Sequence, residues 1–213
     1  MGEKMNQSIA KTKNTILNQK KKYIFLIGLL IIGIICGVIF TTIISQSDKT
    51  LVSEQLKFFF DQINNNKIDY TNGIINSFIT NITYCLGVWL LGISIVGVPI
   101  ILFLHFMKGF IVGFSIGSII NIYRLKGIVG AIAYIFPHHI INMLLSILLC
   151  FYATRFSIKL FSYLFLKKDI NLKEAMRRYL KILIICFIGF IISSILEIYL
   201  SPFCIKLFTF LIK

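Results

Sequence analysis

Acid is scarce in this chain: eight Asp and Glu among 213 residues, against 22 Lys and Arg, for a net charge of +14. That scarcity excludes intramembrane aspartyl chemistry, which needs two carboxyls at depth, because the long apolar runs hold only Glu197. Cysteine spacing excludes more. The five cysteines, at 36, 85, 150, 186 and 204, form no C-x-x-C pair, and four lie inside apolar runs where Cys acts as a small hydrophobe. Neither a disulfide framework, a metal site nor a cofactor site is indicated. No unit of roughly 20 to 50 residues repeats, which removes solenoids, and the halves lack matching interrupted helices, which weighs against an inverted-repeat transporter.

Apolar residues are abundant. They make up 57% of the chain, charged residues only 14%, and the mean hydropathy is +0.88. A chain of this length cannot hide that much apolar surface in a soluble core, so the fold class is an all-α integral membrane protein. The positive charge clusters where a cytoplasmic membrane surface would hold it, and nucleic acid is not needed to explain it.

Residues 1–22 read as a basic cytoplasmic tail, with six lysines against Glu3 and no apolar period strong enough for a folded unit. Residues 23–44 are uncharged and reach about 33 Å as a helix, enough to cross a bilayer. Thr41-Thr42-Ile43-Ile44 offers no small-residue cleavage site, so this run predicts a retained signal anchor with its N-terminus inside. Residues 45–75 carry four acids against three lysines and should face out. Within them Val52, Leu56, Phe59, Phe60 and Ile63 recur at helical spacing opposite Glu54, Gln55 and Asp61. This predicts an amphipathic helix that either lies on the outer headgroups or docks an extracytoplasmic partner.

Between 70 and 154 the only charges are Lys108, Arg124 and Lys126, whereas 155–181 holds eight bases against Asp169 and Glu174 and predicts a cytoplasmic loop. With one flank outside and the other inside, 76–154 must contain an odd number of crossings. Three fit, near 76–96, 100–122 and 128–150. Gly97-Val98-Pro99 suits the reversal between the first two. Pro137 interrupts the fourth crossing with His138 and His139 at the break; adjacent helical residues point about 100° apart, so the pair cannot chelate one metal. Asn171 and Glu174 read as a helix cap, with Glu174 and Arg178 as an i, i+4 ion pair. Residues 182–201 form the fifth crossing, Pro202 ends that helix, and 202–213 is an apolar tail outside.

The densest information lies from Pro99 to Tyr123. Gly109, Gly113 and Gly117 recur every fourth residue, flanked by Phe106 and Phe110, and predict a seam along which another backbone approaches closely. Gly37 of the first run serves as the membrane-matched control position outside that seam. Lys108 sits one residue before the first glycine and must reach a headgroup or a partner. Counting residues places Lys108 and Glu197 about 12 Å apart along the membrane normal, so each is expected to snorkel to its own surface. Gly113-Phe114-Ser115-Ile116-Gly117 satisfies G-x-S-x-G, but a nucleophile elbow needs a strand before it and an acid and a His in reach. Ser115 reads instead as a small packing residue.

Phe106 to Gly117, as F-x-K-G-F-x-x-G-F-x-x-G, resembles the stage II sporulation protein M family, as do the five crossings, the basic tail and the Pro137-His138 break. In the wider family the break often reads P-H-G-x-x-E; here His139 stands for Gly and Asn142 for Glu. The resemblance implies a non-enzymatic membrane scaffold of the sporulation engulfment machinery, in the cell membrane at the septum. Its implied partners are two extracytoplasmic peptidoglycan-degrading enzymes, stage II sporulation proteins D and P. The lipid bilayer is a further partner, and self-association is left open. The rival from another class is a transporter or channel subunit, suggested by Lys108, Pro137 and His138 at membrane depth.

Overall fold

A computed structural model describes residues 2–65, 70–135, 138–167 and 169–212, with side chains for 19–63, 65, 71–132, 138–167, 169–200 and 202–207. Among the described residues six helices follow in order: α1 (Gly2–Ile43), α2 (Gln46–Asn64), α3 (Tyr70–Ile93), α4 (Gly97–Ile135), α5 (His138–Leu164) and α6 (Leu172–Ile212). No strand occurs among the described residues. Five of the helices carry stretches long and apolar enough to cross a membrane: Gln19–Ile43, Thr71–Ile93, Gly97–Ile132, His138–Leu164 and Leu172–Leu207. The sixth, α2, is the amphipathic one.

Several boundaries depart from the sequence reading, each for a physical reason. The basic tail continues α1 as helix from Gly2; a span already helical spares the tail the cost of nucleation, and its Lys, Gln, Ala and Met residues propagate the helix well. The reversal between α3 and α4 falls at 94–96, three residues early, and Gly97 and Pro99 occupy the first turn of α4. Proline is welcome there because first-turn N–H groups have no intrahelical acceptor. Gly97 is required because a Cβ would run into the Leu91 carbonyl.

The fourth crossing is displaced most. Within α4, Arg124 takes φ 52° and ψ −130° and turns the helix back on itself. A Cβ at Gly127 would lie 2.7 Å from the Ile119 carbonyl oxygen, which no continuous helix permits. In the returning piece Gly127, Gly130 and Ala131 are buried while Leu125, Ile128, Val129 and Ile132 are exposed. Small residues inward and large apolar residues outward is membrane-helix patterning, the inverse of a soluble helix. Apolarity therefore could not tell this piece from the crossing itself, which starts at His138 and runs to Leu164. Pro137 lies outside the described residues.

Pro202 does not end α6, which continues to Ile212. One lost backbone hydrogen bond is tolerated because Ile205, beyond the proline, is 1% exposed and packs with Phe60 and Ile63 of α2, Ile119 and Tyr123 of α4. The cap at Asn171 forms as read, its Oδ1 accepting from the Glu174 N–H at 3.0 Å, and Glu174 pairs with Arg178.

The bundle has two ends. At one, α2 lies across α4 and α6 through the Phe60–Ile63–Ile205 cluster. At the other, the basic 155–181 segment, the main core fills with Cys85, Val88, Leu149, Cys150, Phe156, Tyr179, Cys186 and Phe190. Three of its members are the buried cysteines, serving as small hydrophobes.

Candidate functional site

Helix α4 is central, and its two faces do different things. On one face, Gly109, Gly113 and Gly117 meet α1. A Cβ at Gly113 would lie 2.7 Å from the Ile34 Cα, and one at Gly117 would lie 3.1 Å from the Val38 Cα. Those are backbone atoms that cannot step aside, so only glycine allows this approach. The contact is reciprocal. Gly33 and Gly37 of α1 face the Phe106 and Phe110 carbonyls, and a Cβ at Gly37 would lie 2.7 Å from the Phe114 nitrogen. Gly37 therefore belongs to the seam and is no control position; Gly28, with nothing within 4 Å of a Cβ, is one. Phe40 leans across the groove onto Phe110, ring centroids 5.4 Å apart.

Pairing along this seam keeps a constant offset: residue 30 meets 109, 34 meets 113 and 38 meets 117. A constant difference means that α1 and α4 run parallel and in register. Each end carries a polar clamp. His105 Nε2 donates to the Leu26 carbonyl at 3.2 Å, and Asn121 Nδ2 donates to Thr41 Oγ1 at 3.0 Å. Both His105 and Thr41 are buried.

Another face of α4 carries Lys108. Its Nζ lies 4.0 Å from the centre of the Tyr84 ring and 4.7 Å from that of Phe190, a cation held between two π-faces. Among the described residues no carboxylate comes within salt-bridge distance of it. Lys108 lines a half-open cavity of about 550 Å³ whose wall includes Phe59 of α2, Asn81 and Tyr84 of α3, Asn142 of α5 and Glu197 of α6.

Glu197 turns into this cavity. Ser77 Oγ donates to its carboxylate at 2.5 Å, and His138 Nε2 stands 3.9 Å away. Neither Lys108 nor Glu197 snorkels, because residue counting fixes only depth, whereas polar side chains on three other helices give both groups a place inside. Further polar contacts tie the wall together. Asn81 Nδ2 donates to Ser194 Oγ at 3.0 Å, and Ser193 Oγ donates to the His138 carbonyl at 3.1 Å. Asn142, 5% exposed, keeps its Oδ1 buried without a hydrogen-bond partner. Glu197 of α6 brings a carboxylate into the same cavity that Asn142 lines. The rings of His138 and His139 lie tilted to one another with centroids 4.0 Å apart, and no group of three His, Cys, Asp or Glu that could hold a metal occurs among the described residues.

The amphipathic helix divides its apolar residues. Ser45 caps it, its hydroxyl accepting from the Asp48 N–H at 3.2 Å. Phe60 and Ile63 are buried against α4 and α6 and Leu56 packs beside them, whereas Phe59 is 45% exposed at the cavity rim. Val52 is half-buried. Leu51 and Phe58, which the spacing pattern passed over, are 59% and 62% exposed. They occupy one face seven residues apart.

Counting formal charges missed His105, Asn121, Asn81 and the serines of the cavity, although an uncharged polar residue within an apolar run was itself the available signal. The spacing of Gly33 and Gly37 was equally there to be read.

Residues 26–202 match the family model described as Stage II sporulation protein M. No curated protein and no solved structure matches the chain. The matched region takes in α1 from the His105 clamp onward, the glycine seam, the cavity and α6 as far as Pro202, and this sporulation-related, multi-pass membrane chain belongs to the stage II sporulation protein M family.

Proposed function

We propose that the chain is a non-enzymatic scaffold of the sporulation engulfment machinery, oriented with its basic end in the cytoplasm and α2 outside. In this reading it holds the peptidoglycan-degrading enzymes, stage II sporulation proteins D and P, at the septum. The observation that carries the proposal is α2. This helix is anchored to its own bundle by Phe60 and Ile63 and still presents Leu51 and Phe58 outward, and a fixed helix with an exposed apolar face suits a docking element. The cavity beside it adds a second element. An acid from a partner's membrane segment, entering past Phe59, would neutralise Lys108.

The test is the pair Leu51→Ser with Phe58→Ser, beside an epitope reporter at Asn65 that should read outside. Both side chains are exposed, so the variant should fold and reach the membrane at parental level, a surface change of under about 0.5 kcal/mol. Recruitment of the two enzymes should fall, and engulfment should stall. Normal recruitment, or an inside signal at Asn65, contradicts the proposal. Replacing Leu56 and Phe60 would not serve, because Phe60 belongs to the bundle's own packing.

The cavity favours a second reading, a transporter or channel subunit, since Lys108, Glu197 and His138 surround a half-open space. Solute flux through proteoliposomes that Lys108→Met abolishes would select it over the scaffold.

A further inference from the structure

The basic end of the bundle contains a second, smaller cavity of about 120 Å³ between α5 and α6. Arg155 and Lys159 reach it from one face of α5, and Arg178 reaches it from α6; Tyr152, Phe156 and Tyr179 form the apolar wall. Phe156 and Tyr179 stack at 4.8 Å, which fixes that wall. Charge in this cavity does not balance. Arg178 is paired with Glu174, but among the described residues no carboxylate comes within salt-bridge distance of Arg155 or Lys159. Both side chains are nonetheless half-buried. Cations that merely mark a membrane-flanking loop can stand in solvent, as Lys173, Arg177 and Lys181 do. Two cations turned into a concave wall call for an anion there.

The depth of the cavity says which anion is at hand. Tyr23, which begins the first apolar run, stacks on Phe151 at 4.0 Å, and the exposed Lys20, Lys21 and Lys22 directly precede it. Tyr179 donates its hydroxyl to the Trp89 carbonyl at 2.9 Å. The half-buried Tyr23, Trp89 and Tyr152, gathered from α1, α3 and α5, mark the boundary between hydrocarbon and headgroups. The cavity opens at that level, where lipid phosphate is the concentrated anion.

We propose that Arg155, Lys159 and Arg178 bind the phosphate of an anionic phospholipid headgroup. The guanidinium groups offer paired donors to phosphate oxygens, and the lysine adds a point charge. A free phosphate would satisfy the same chemistry, and the experiment separates the two sources.

The purified full-length chain in detergent is titrated with phosphatidylglycerol, cardiolipin, phosphatidylethanolamine and inorganic phosphate, with native mass spectrometry and thermal unfolding as readouts. The anionic lipids should be retained and should raise the unfolding temperature, phosphatidylethanolamine should not, and millimolar phosphate should neither stabilise nor compete. Each cation near a membrane surface contributes roughly fivefold, so Arg155→Gln, Lys159→Gln and Arg178→Gln together should weaken lipid retention on the order of a hundredfold. The control triple Lys173→Gln, Arg177→Gln and Lys181→Gln removes the same charge from solvent and should retain the lipid. Should the first triple fail to fold, Lys159→Gln alone decides, with roughly fivefold weaker retention expected. Equal loss in both triples, or in the single variant no loss, overturns the site. Phosphate that stabilises the chain and displaces the lipid overturns the lipid assignment.

Discussion

Lys108 and Gly109 are neighbours in sequence, yet the glycine seam meets α1 while the lysine turns into the cavity on another side of α4. On the glycine side of α4, two backbones approach so closely that a single Cβ would overlap atoms of α1. On the lysine side, the helices stand apart around about 550 Å³ lined by polar groups from four helices. Tight packing without polar side chains holds structure together in lipid, where apolar burial supplies no drive between helices. The open space on the lysine side does the reverse: it holds a cation between aromatic rings, with the Glu197 carboxylate in the same cavity but outside salt-bridge distance, and burying such a group costs stability. One helix therefore carries both the glycine seam that joins it to α1 and the lysine that lines the cavity.

The largest expected effect comes from the glycine side. Gly113→Leu forces α1 and α4 apart along a seam of backbone atoms and should cost about 3 kcal/mol or more. It is read as a fall in the thermal unfolding midpoint of the solubilised chain, with Gly28→Leu as the matched control at parental stability. Equal behaviour of the two variants would reduce the seam to ordinary apolar surface. Gly37→Leu, on the partner helix, should behave like Gly113→Leu.

Clamp residues should matter less. Replacing Asn121 with Leu removes its hydrogen bond to Thr41 and should cost about 1 kcal/mol, the usual size of an interhelical hydrogen bond in a bilayer. The register survives because the glycines on both helices still fit. A loss as large as that of Gly113→Leu would mean that the polar clamps, rather than the glycines, set the register.

The two faces were not equally legible in the sequence. The α4 part of the seam showed itself because a helix repeats its face every three to four residues, so the glycines announce a groove without knowledge of the partner. The cavity did not, because Ser77, Asn81, Asn142, Ser194 and Glu197 lie on three helices whose rotation no local pattern sets. The number of crossings followed from charge parity and hydropathy, since a bilayer imposes a length. The start of the fourth did not, because the returning piece after Arg124 is as apolar as a crossing. Pro202 misled for a related reason. Its cost inside a helix is local, while the contact of Ile205 with α2 that offsets it lies far away in sequence.

Lys108→Met gives the smallest expected change in stability and the most direct test of the account. Methionine keeps the length and apolar stem of the side chain and removes a buried cation that forms no salt bridge among the described residues, so the chain should unfold at a temperature no lower than the parent's. Measured in the same cells, completion of engulfment should fail although the protein reaches the membrane at parental level. Unfolding as early as Gly113→Leu would make Lys108 one more packing residue, and normal engulfment by a stable Lys108→Met chain would contradict the division of labour on α4.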